Sequence, residues 1–153
     1  MLFLLFGLAR DRYVLDVSQV AEVLPLVDIR QMPQAPTAVA GILNYRGTPV
    51  PVIDVSQLTL GRPAERRLST RIVLVHYPGA DGRPRLLGLI AERATQTVRR
   101  EEKDFVASGV TSEGASYLGP VVADARGLLQ WLDVRTLLPP AVRDVLFKQP
   151  SAD

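Results

Sequence analysis

Short apolar runs alternate with polar turns along this chain of 153 residues, and the pattern predicts many β-strands and little helix. The polar turn Ala9–Arg12 predicts a hairpin, and the prolines of Gln31–Pro36 predict a loop. Pro139 and Pro140 predict the start of a short amphipathic helix over Ala141–Lys148. Strands are predicted over the segments Leu2–Leu8, Tyr13–Val17, Val20–Val27, Ile42–Tyr45, Val50–Val55, Arg71–Tyr77, Arg85–Ala91, Thr95–Arg99, Leu118–Ala123 and Leu128–Leu132.

The two halves of the chain resemble each other. The stretch PVIDVSQL at 51–58 is similar to QWLDVRTL at 130–137, and in each an Asp stands where it can cap a short helical turn. The stretch at 13–23 can likewise be aligned with 87–97. Short strands repeated in this order predict two related small β-barrels rather than one sandwich, with Gly61–Ser69 as the seam between the halves.

Composition narrows the class of protein. Hydrophobic residues make up 47% of the chain and charged residues 22%, as in ordinary globular domains. The apolar start, LFLLFGLA, lacks a preceding basic region and stops at Arg10, so it is predicted to be a strand and not a signal peptide. No run reaches the roughly 20 apolar residues of a membrane span. A cytoplasmic protein without direct membrane insertion is therefore expected.

The sequence offers little material for catalysis. There are no cysteines and a single histidine, His76, which lies within a predicted strand, so neither thiolate chemistry nor a zinc site is expected. A glycine-rich phosphate loop is also missing. The lone Trp131 is most simply a core residue. These observations favour a binding protein that is not an enzyme and that carries no metal and no cofactor.

Two classes of binding protein remain open. A net charge of +2 and an aromatic content of 6% argue against a nucleic-acid-binding double β-barrel, which needs exposed aromatic residues among basic ones. That class stays as the alternative. Protein recognition is favoured, without nucleic acid as a partner.

The stretch AGILNYRGTPVPVIDV carries a specific resemblance. Its NxRGxxxPxxD pattern, formed by Asn44, Arg46, Gly47, Pro51 and Asp54, resembles the CheW-like family of adaptor proteins in bacterial chemosensory arrays. The resemblance continues through FLLFGLARDRYVLDVSQVAEV, QMPQAP, RIVLV, LLGLIAERATQTV and GLLQWLDVRTLL, in the order of the family.

The resemblance implies a single CheW-like domain over 1–153, made of two five-stranded SH3-like β-barrels that share a hydrophobic core. Residues 1–65 with 139–153 are expected to form the first barrel and the C-terminal helix, and 66–138 the second barrel. It also implies an adaptor that couples the cytoplasmic tip of a chemoreceptor to the regulatory domain of a CheA-type histidine kinase, at membrane-associated receptor arrays. A specialised pathway, such as surface sensing or pilus control, stays open.

The resemblance also implies two sets of site residues. Glu22 on an early strand is expected to form a coupling charge pair with Arg46, whose alternative interpretation is a solvated turn residue beside a permissive glycine. Tyr45, next to Arg46, stands where the family usually has Leu. An apolar patch between the barrels is expected to bind the receptor through Val20, Gly41, Gly88, Ala94 and Thr97.

Overall fold

The computed structural model describes residues 1–78, 83–110 and 115–147, and these residues form a mainly β structure. Two short helices lie among the strands, α1 (Val55–Leu60) and α2 (Pro140–Arg143). The strands of the described residues are β1 (Leu2–Leu8), β2 (Asp11–Asp16), β3 (Val20–Pro25), β4 (Val39–Tyr45), β5 (Thr48–Asp54), β6 (Arg71–Pro78), β7 (Pro84–Arg99), β8 (Leu118–Asp124) and β9 (Gly127–Leu132).

The strands pair into two units of five, which we call barrel A and barrel B. Barrel A has the order β7–β1–β2–β9–β8, and barrel B has the order β3–β6–β7–β5–β4. An extra bridge joins the outer segments of each unit, from Val106 to Val121 in barrel A and from Arg30 to Ile42 in barrel B. The predicted fold of two five-stranded β-barrels is confirmed.

Strand β7 belongs to both barrels. Its first half pairs with β6 and its second half with β1, and the register with β1 shifts where the strand passes from one barrel to the other. Arg93 lies at this passage with a positive φ of 52°. The prediction of two strands, Arg85–Ala91 and Thr95–Arg99, was wrong, because the polar residues between them lie at a bend within one strand of 16 residues.

Three apolar clusters fill the part of the chain that the structure describes. The largest lies between the barrels and takes Phe6 and Leu15 from barrel A and Val75 and Leu87 from barrel B, each at most 2% exposed. Every large side chain buried there contributes roughly 1.5–3 kcal/mol of hydrophobic stabilisation. We call this cluster the central core. Smaller clusters fill the barrels, with Leu43, Val50, Val52, Ile72, Leu74 and Ile90 in barrel B and Phe3, Val14 and Leu129 in barrel A.

The boundary predicted near residue 65 does not separate the barrels. Strands β1 and β2 pair within barrel A, with β9 and the second half of β7, whereas β3 to β6 belong to barrel B. The chain crosses from barrel A to barrel B at the 3₁₀ turn Val17–Gln19 and returns within β7. The similarity between the halves marks equivalent strands, and each half contributes strands to both barrels. A single domain over 1–153 stays a prediction.

Both predicted aspartate caps are present. Asp54 Oδ1 accepts a hydrogen bond from the backbone N–H of Gln57 at 3.2 Å, and Asp133 Oδ1 accepts one from the N–H of Arg135 at 2.9 Å. The second oxygen of Asp54 accepts from the N–H of Ala64 at 3.0 Å. Asp54 therefore holds the start of α1 and also anchors the segment that follows the helix.

Two elements end at least two residues earlier than predicted. Strand β3 stops at Pro25 instead of Val27, because proline has no N–H to continue the ladder. Helix α2 starts at Pro140, as the prolines predict, but ends at Arg143. Further on, Phe147 has a positive φ of 60°, which is incompatible with a helix extending to that point. The last residue of the predicted helix, Lys148, lies outside the described residues.

We expect a cut within 62–67 to prevent either fragment from folding alone. The cut separates β1 and β2 from their partners in barrel A, and β3 to β5 from their partners in barrel B. Each fragment also loses the central-core residues that the other fragment contains and exposes its own. Circular dichroism melts should show a cooperative transition only after the two fragments are mixed.

The matched control for the cut is a Gly/Ser insertion at the same place in the intact chain, which should leave the melt nearly unchanged because loop insertions have a small entropic effect. Two separately soluble fragments with cooperative transitions of their own would contradict the shared core.

Candidate interaction surface

The turn between β4 and β5 consists of two residues, Arg46 and Gly47. Tyr45 pairs with Thr48 across it, and φ is 52° at Arg46 and 86° at Gly47. Two positive φ values are typical of a type I′ hairpin turn, which favours Asn or Gly at both positions. Gly47 adopts its conformation freely, and its N–H donates to Asn44 Oδ1 at 2.9 Å.

The positive φ is unfavourable for Arg46. A residue with a Cβ in the left-handed region is strained by about 1–2 kcal/mol. Its side chain is nevertheless 76% exposed, so packing does not compensate for the strain. An unfavourable residue at an exposed turn indicates a role for the guanidinium itself.

The structure brings Glu22 and Arg46 together. Glu22 lies on β3 opposite Leu74, and its Oε2 is 3.6 Å from Arg46 Nη2. This separation makes a long ion pair rather than a hydrogen bond. Since the side chain of Glu22 is 35% exposed, water screens the pair and its contribution to stability is small.

Tyr45 also contacts Glu22, and the sequence did not identify it as a member of the site. Its hydroxyl donates a short hydrogen bond to the same Oε2 of Glu22. The hydrogen bond to Glu22 raises the pKa of the Tyr45 hydroxyl above its ordinary value. The Arg46 guanidinium carbon lies 5.0 Å from the centre of the Tyr45 ring, within the range of a cation–π contact. The departure from the usual Leu was the available signal in the sequence.

The five residues expected at the receptor face divide by burial. Thr97 is exposed on β7, and Val20, at the start of β3, is half-buried against the central core. Ala94 is only 2% exposed and belongs to the central core. Gly41 and Gly88 are buried as well. Gly41, Gly88 and Ala94 are therefore too buried to contact a receptor directly, which corrects that part of the prediction. Receptor binding by the surface that contains Val20 and Thr97 stays a prediction.

The two glycines have packing reasons of their own. A Cβ on Gly88 would lie 3.0 Å from Val52 Cγ2 inside barrel B. Gly41 has a φ of 147°, and a Cβ there would lie 2.1 Å from the backbone oxygen of Arg30. That oxygen accepts the hydrogen bond from Ile42 N–H that helps to close the barrel. Gly41 thus permits barrel closure, and Gly88 permits packing inside the barrel.

Register brings some of the predicted site residues together and keeps others apart. Gly41 pairs with Val52, Val52 with Gly88, Gly88 with Leu74, and Leu74 with Glu22, so one row across barrel B contains both glycines and the acidic residue. Val20 follows on β3, opposite Val75. In contrast, Ala94 and Thr97 lie in the half of β7 that passes into barrel A, where Thr97 pairs with Leu4.

A second polar cluster, which the sequence did not predict, lies at the end of barrel A. Asp124 is the last residue of β8 before the hairpin turn, as Tyr45 is the last residue of β4. Asp124 Oδ2 accepts from Arg12 Nη1 at 3.1 Å and from Arg100 Nη2 at 3.2 Å, and Oδ1 accepts from the N–H of Arg126 at 2.8 Å. These contacts, with Arg12 first, hold the pKa of Asp124 far below its ordinary value.

Other chemistry is sparse among the described residues. His76 lies in β6, as predicted, and its side chain is exposed. Trp131 packs in barrel A, with its ring centre 4.8 Å from that of Phe3. Within residues 1–78, 83–110 and 115–147, no group of three or more His, Cys, Asp or Glu is placed to hold a metal ion. Across the same residues, no helix has the length and apolar character needed to span a membrane.

We expect Asp124→Asn to lower the melting temperature at neutral pH, because the substitution removes the carboxylate that both arginines share. A carboxyl with a depressed folded-state pKa stabilises the fold above its unfolded value, near 4, and this contribution is lost as pH falls toward the lower folded value. The difference in melting temperature between the wild type and the variant should therefore shrink from pH 5 to pH 2.

Asp28→Asn, which changes an exposed carboxylate in the same way, is the control and should show a much smaller effect at pH 7. A difference for Asp124→Asn that stays constant across this pH range would contradict the ion-pair account.

Comparisons with known proteins give a consistent result. A family model described as CheW-like domain matches residues 2–141. The chain is 27% identical to the chemotaxis protein CheW of Treponema pallidum, over 86% of this chain and 78% of that protein. It is 24% identical to the chemotaxis protein CheW of Helicobacter pylori, over 67% of this chain and 59% of that protein.

The fold is also similar to that of a solved structure, the scaffolding protein TtCheW from Thermoanaerobacter tengcongensis. The TM-score is 0.78 at 23% identity, and the similarity covers 90% of this chain and 87% of that one. At this identity the similarity establishes the shared fold alone.

Proposed function

The chain belongs to the CheW-like domain family, since the family model matches residues 2–141, and we propose its function from this membership. The protein is an adaptor, or scaffold, in bacterial chemotaxis-type signalling. It couples the cytoplasmic tip of a chemoreceptor to the regulatory domain of a CheA-type histidine kinase, and it performs no catalysis of its own. It works at membrane-associated receptor arrays, where its partners hold it. Its pathway is either ordinary swimming chemotaxis or a specialised one, such as surface sensing or pilus control.

The observation that carries this proposal is the family match over nearly the whole chain. One feature of the structure supports it. The exposed Arg46 occupies a strained turn position, where its planar guanidinium can bind a carboxylate of a partner.

The proposed receptor-binding surface contains fewer contact residues than the sequence analysis predicted. Val20 and Thr97 are the two predicted residues that offer side-chain surface. The three buried residues, Gly41, Gly88 and Ala94, act by shaping the backbone and the core beneath this face. A helical hairpin tip would contact the apolar side chain of Val20, and the polar rim would set its register.

We expect Val20→Asp to abolish binding to the receptor tip and to spare binding to the kinase regulatory domain. A charge at this half-buried position would remove apolar contact and leave an unpaired carboxylate in the interface. Pull-downs with the receptor tip and with the kinase domain from the same genome, done separately, measure the two interactions.

Because Val20 also packs against the central core, Val20→Thr and a thermal melt serve as controls for folding. Thr97→Asp changes an exposed residue and should weaken receptor binding without a folding defect. Gln96→Asp, on the opposite face of the same strand, should not. If folded Val20→Asp and Thr97→Asp both kept full receptor binding, the face would be wrong.

We expect Arg46→Glu to lower kinase coupling several-fold while the fold survives, because the change puts two acids together at an exposed turn. The double variant Glu22→Arg with Arg46→Glu should restore part of the loss. Kinase activity in a reconstituted receptor–kinase–adaptor assembly is the readout. Arg66→Glu, an identical charge change at another exposed position, is the matched control.

The informative quantity is the coupling energy of the double-mutant cycle. A cycle without coupling energy would leave Arg46 as an isolated surface contact and would remove Glu22 from the proposed pair.

A further inference from the structure

Two donors compete for one oxygen of Glu22. The Tyr45 hydroxyl forms a short hydrogen bond with Oε2, while the nearest nitrogen of Arg46 stays 3.6 Å from the same atom. The neutral donor is thus in hydrogen-bond contact and the cation is not. An Arg–carboxylate pair left to itself favours two parallel hydrogen bonds of about 2.7–2.9 Å.

The difference in rigidity explains which donor is in contact. The Tyr45 ring packs against the apolar cluster of barrel B, and the Tyr45 backbone is fixed by its pairing with Thr48 at the end of β4. Its hydroxyl is therefore placed at Glu22 with little loss of side-chain freedom. The Arg46 side chain is 76% exposed, and binding Glu22 closely would immobilise a long, flexible group.

The Arg46 guanidinium is then held only loosely. Its guanidinium carbon lies 5.0 Å from the Tyr45 ring centre. Among the described residues Glu22 is its one ion-pair partner, at the long distance given above. Most of its five N–H donors therefore face water, and they are available to a second carboxylate.

We propose that Tyr45 is a positioning residue, which occupies the Glu22 carboxylate so that the Arg46 guanidinium stays available for a carboxylate on the partner protein. This inference rests on the proposed adaptor function, and it deepens it by assigning the chemistry of the contact. A Leu at this position has no hydroxyl, so Glu22 and Arg46 would bind each other closely and Arg46 would be withdrawn from the partner.

A first experiment needs no partner. Tyr45→Phe removes only the hydroxyl, and Arg46 should then close onto Glu22. In ¹⁵N-edited NMR spectra of the Arg side chains, the Arg46 Nε–H should exchange with water several-fold more slowly in Tyr45→Phe than in the wild type. Adding Glu22→Gln to Tyr45→Phe should return the exchange to the fast rate.

Tyr77→Phe is the matched control, since it removes a hydroxyl from a buried tyrosine of β6 and should not change the Arg46 signal. Slow exchange of Arg46 already in the wild type, or no slowing in a folded Tyr45→Phe, would overturn the competition between the two donors.

A second experiment measures the affinity for the regulatory domain of a CheA-type kinase by titration calorimetry. Tyr45→Phe and Arg46→Ala should each weaken binding several-fold, and Tyr45→Phe should add no further loss once Arg46 is Ala. If Arg46→Ala weakens binding and Tyr45→Phe does not, the positioning role is wrong.

The two experiments separate two kinds of failure. A wild-type chain that binds neither the kinase domain nor the receptor tip would contradict the proposed function, and the NMR result would still decide whether Tyr45 holds Glu22 away from Arg46.

Discussion

Burial of the central core is the constraint on which the rest of the structure depends. Neither barrel encloses the apolar face that it turns toward the other, because Phe6 and Leu15 of barrel A are covered by Val75 and Leu87 of barrel B. The chain passes between the two barrels at the 3₁₀ turn Val17–Gln19 and again within β7. A strand that passes from one sheet to the other keeps the barrels at a fixed spacing. The surface residues at the passage therefore inherit their positions from the core.

The repeat in the sequence is expressed in the register of the strands. Val52 on β5 pairs in parallel with Gly88, and Trp131 on β9 pairs in parallel with Val14. These pairs are equivalent when 51–58 is aligned with 130–137 and 13–23 with 87–97. Alternation of apolar residues, the repeat and the aspartate caps were therefore sufficient to predict most strands and the two-barrel fold, but not that β7 is one continuous strand. They could not predict barrel membership, since local patterns contain no information on which strands pair across the chain.

The interaction surface, too, could be predicted from the sequence only in part. The resemblance to the family led to Glu22 and Arg46, and the fold brings these residues together although 24 positions separate them. It could not foresee that Ala94 is buried, because a small apolar residue after a polar pair fits a surface groove and a core equally well. The contact of Tyr45 with Glu22 could not be predicted either, since it depends on the side chain of one strand end reaching another strand.

The two hairpin ends show how a shared architecture becomes asymmetric. In barrel A the residue before the turn is Asp124, and its carboxylate binds the guanidinium groups of Arg12 and Arg100. In barrel B the equivalent residue is Tyr45, which satisfies the acidic group with a neutral hydroxyl and leaves the cation exposed. Arg46 at that end has a strained backbone with a positive φ, and its exposed side chain makes no packing contact that compensates for the strain. The two ends of the pseudo-symmetric fold therefore differ in backbone geometry: Arg46 is exposed from a turn residue with a positive φ, whereas the exposed Arg126 at the end of barrel A is not among the positive-φ residues and donates its backbone N–H to Asp124.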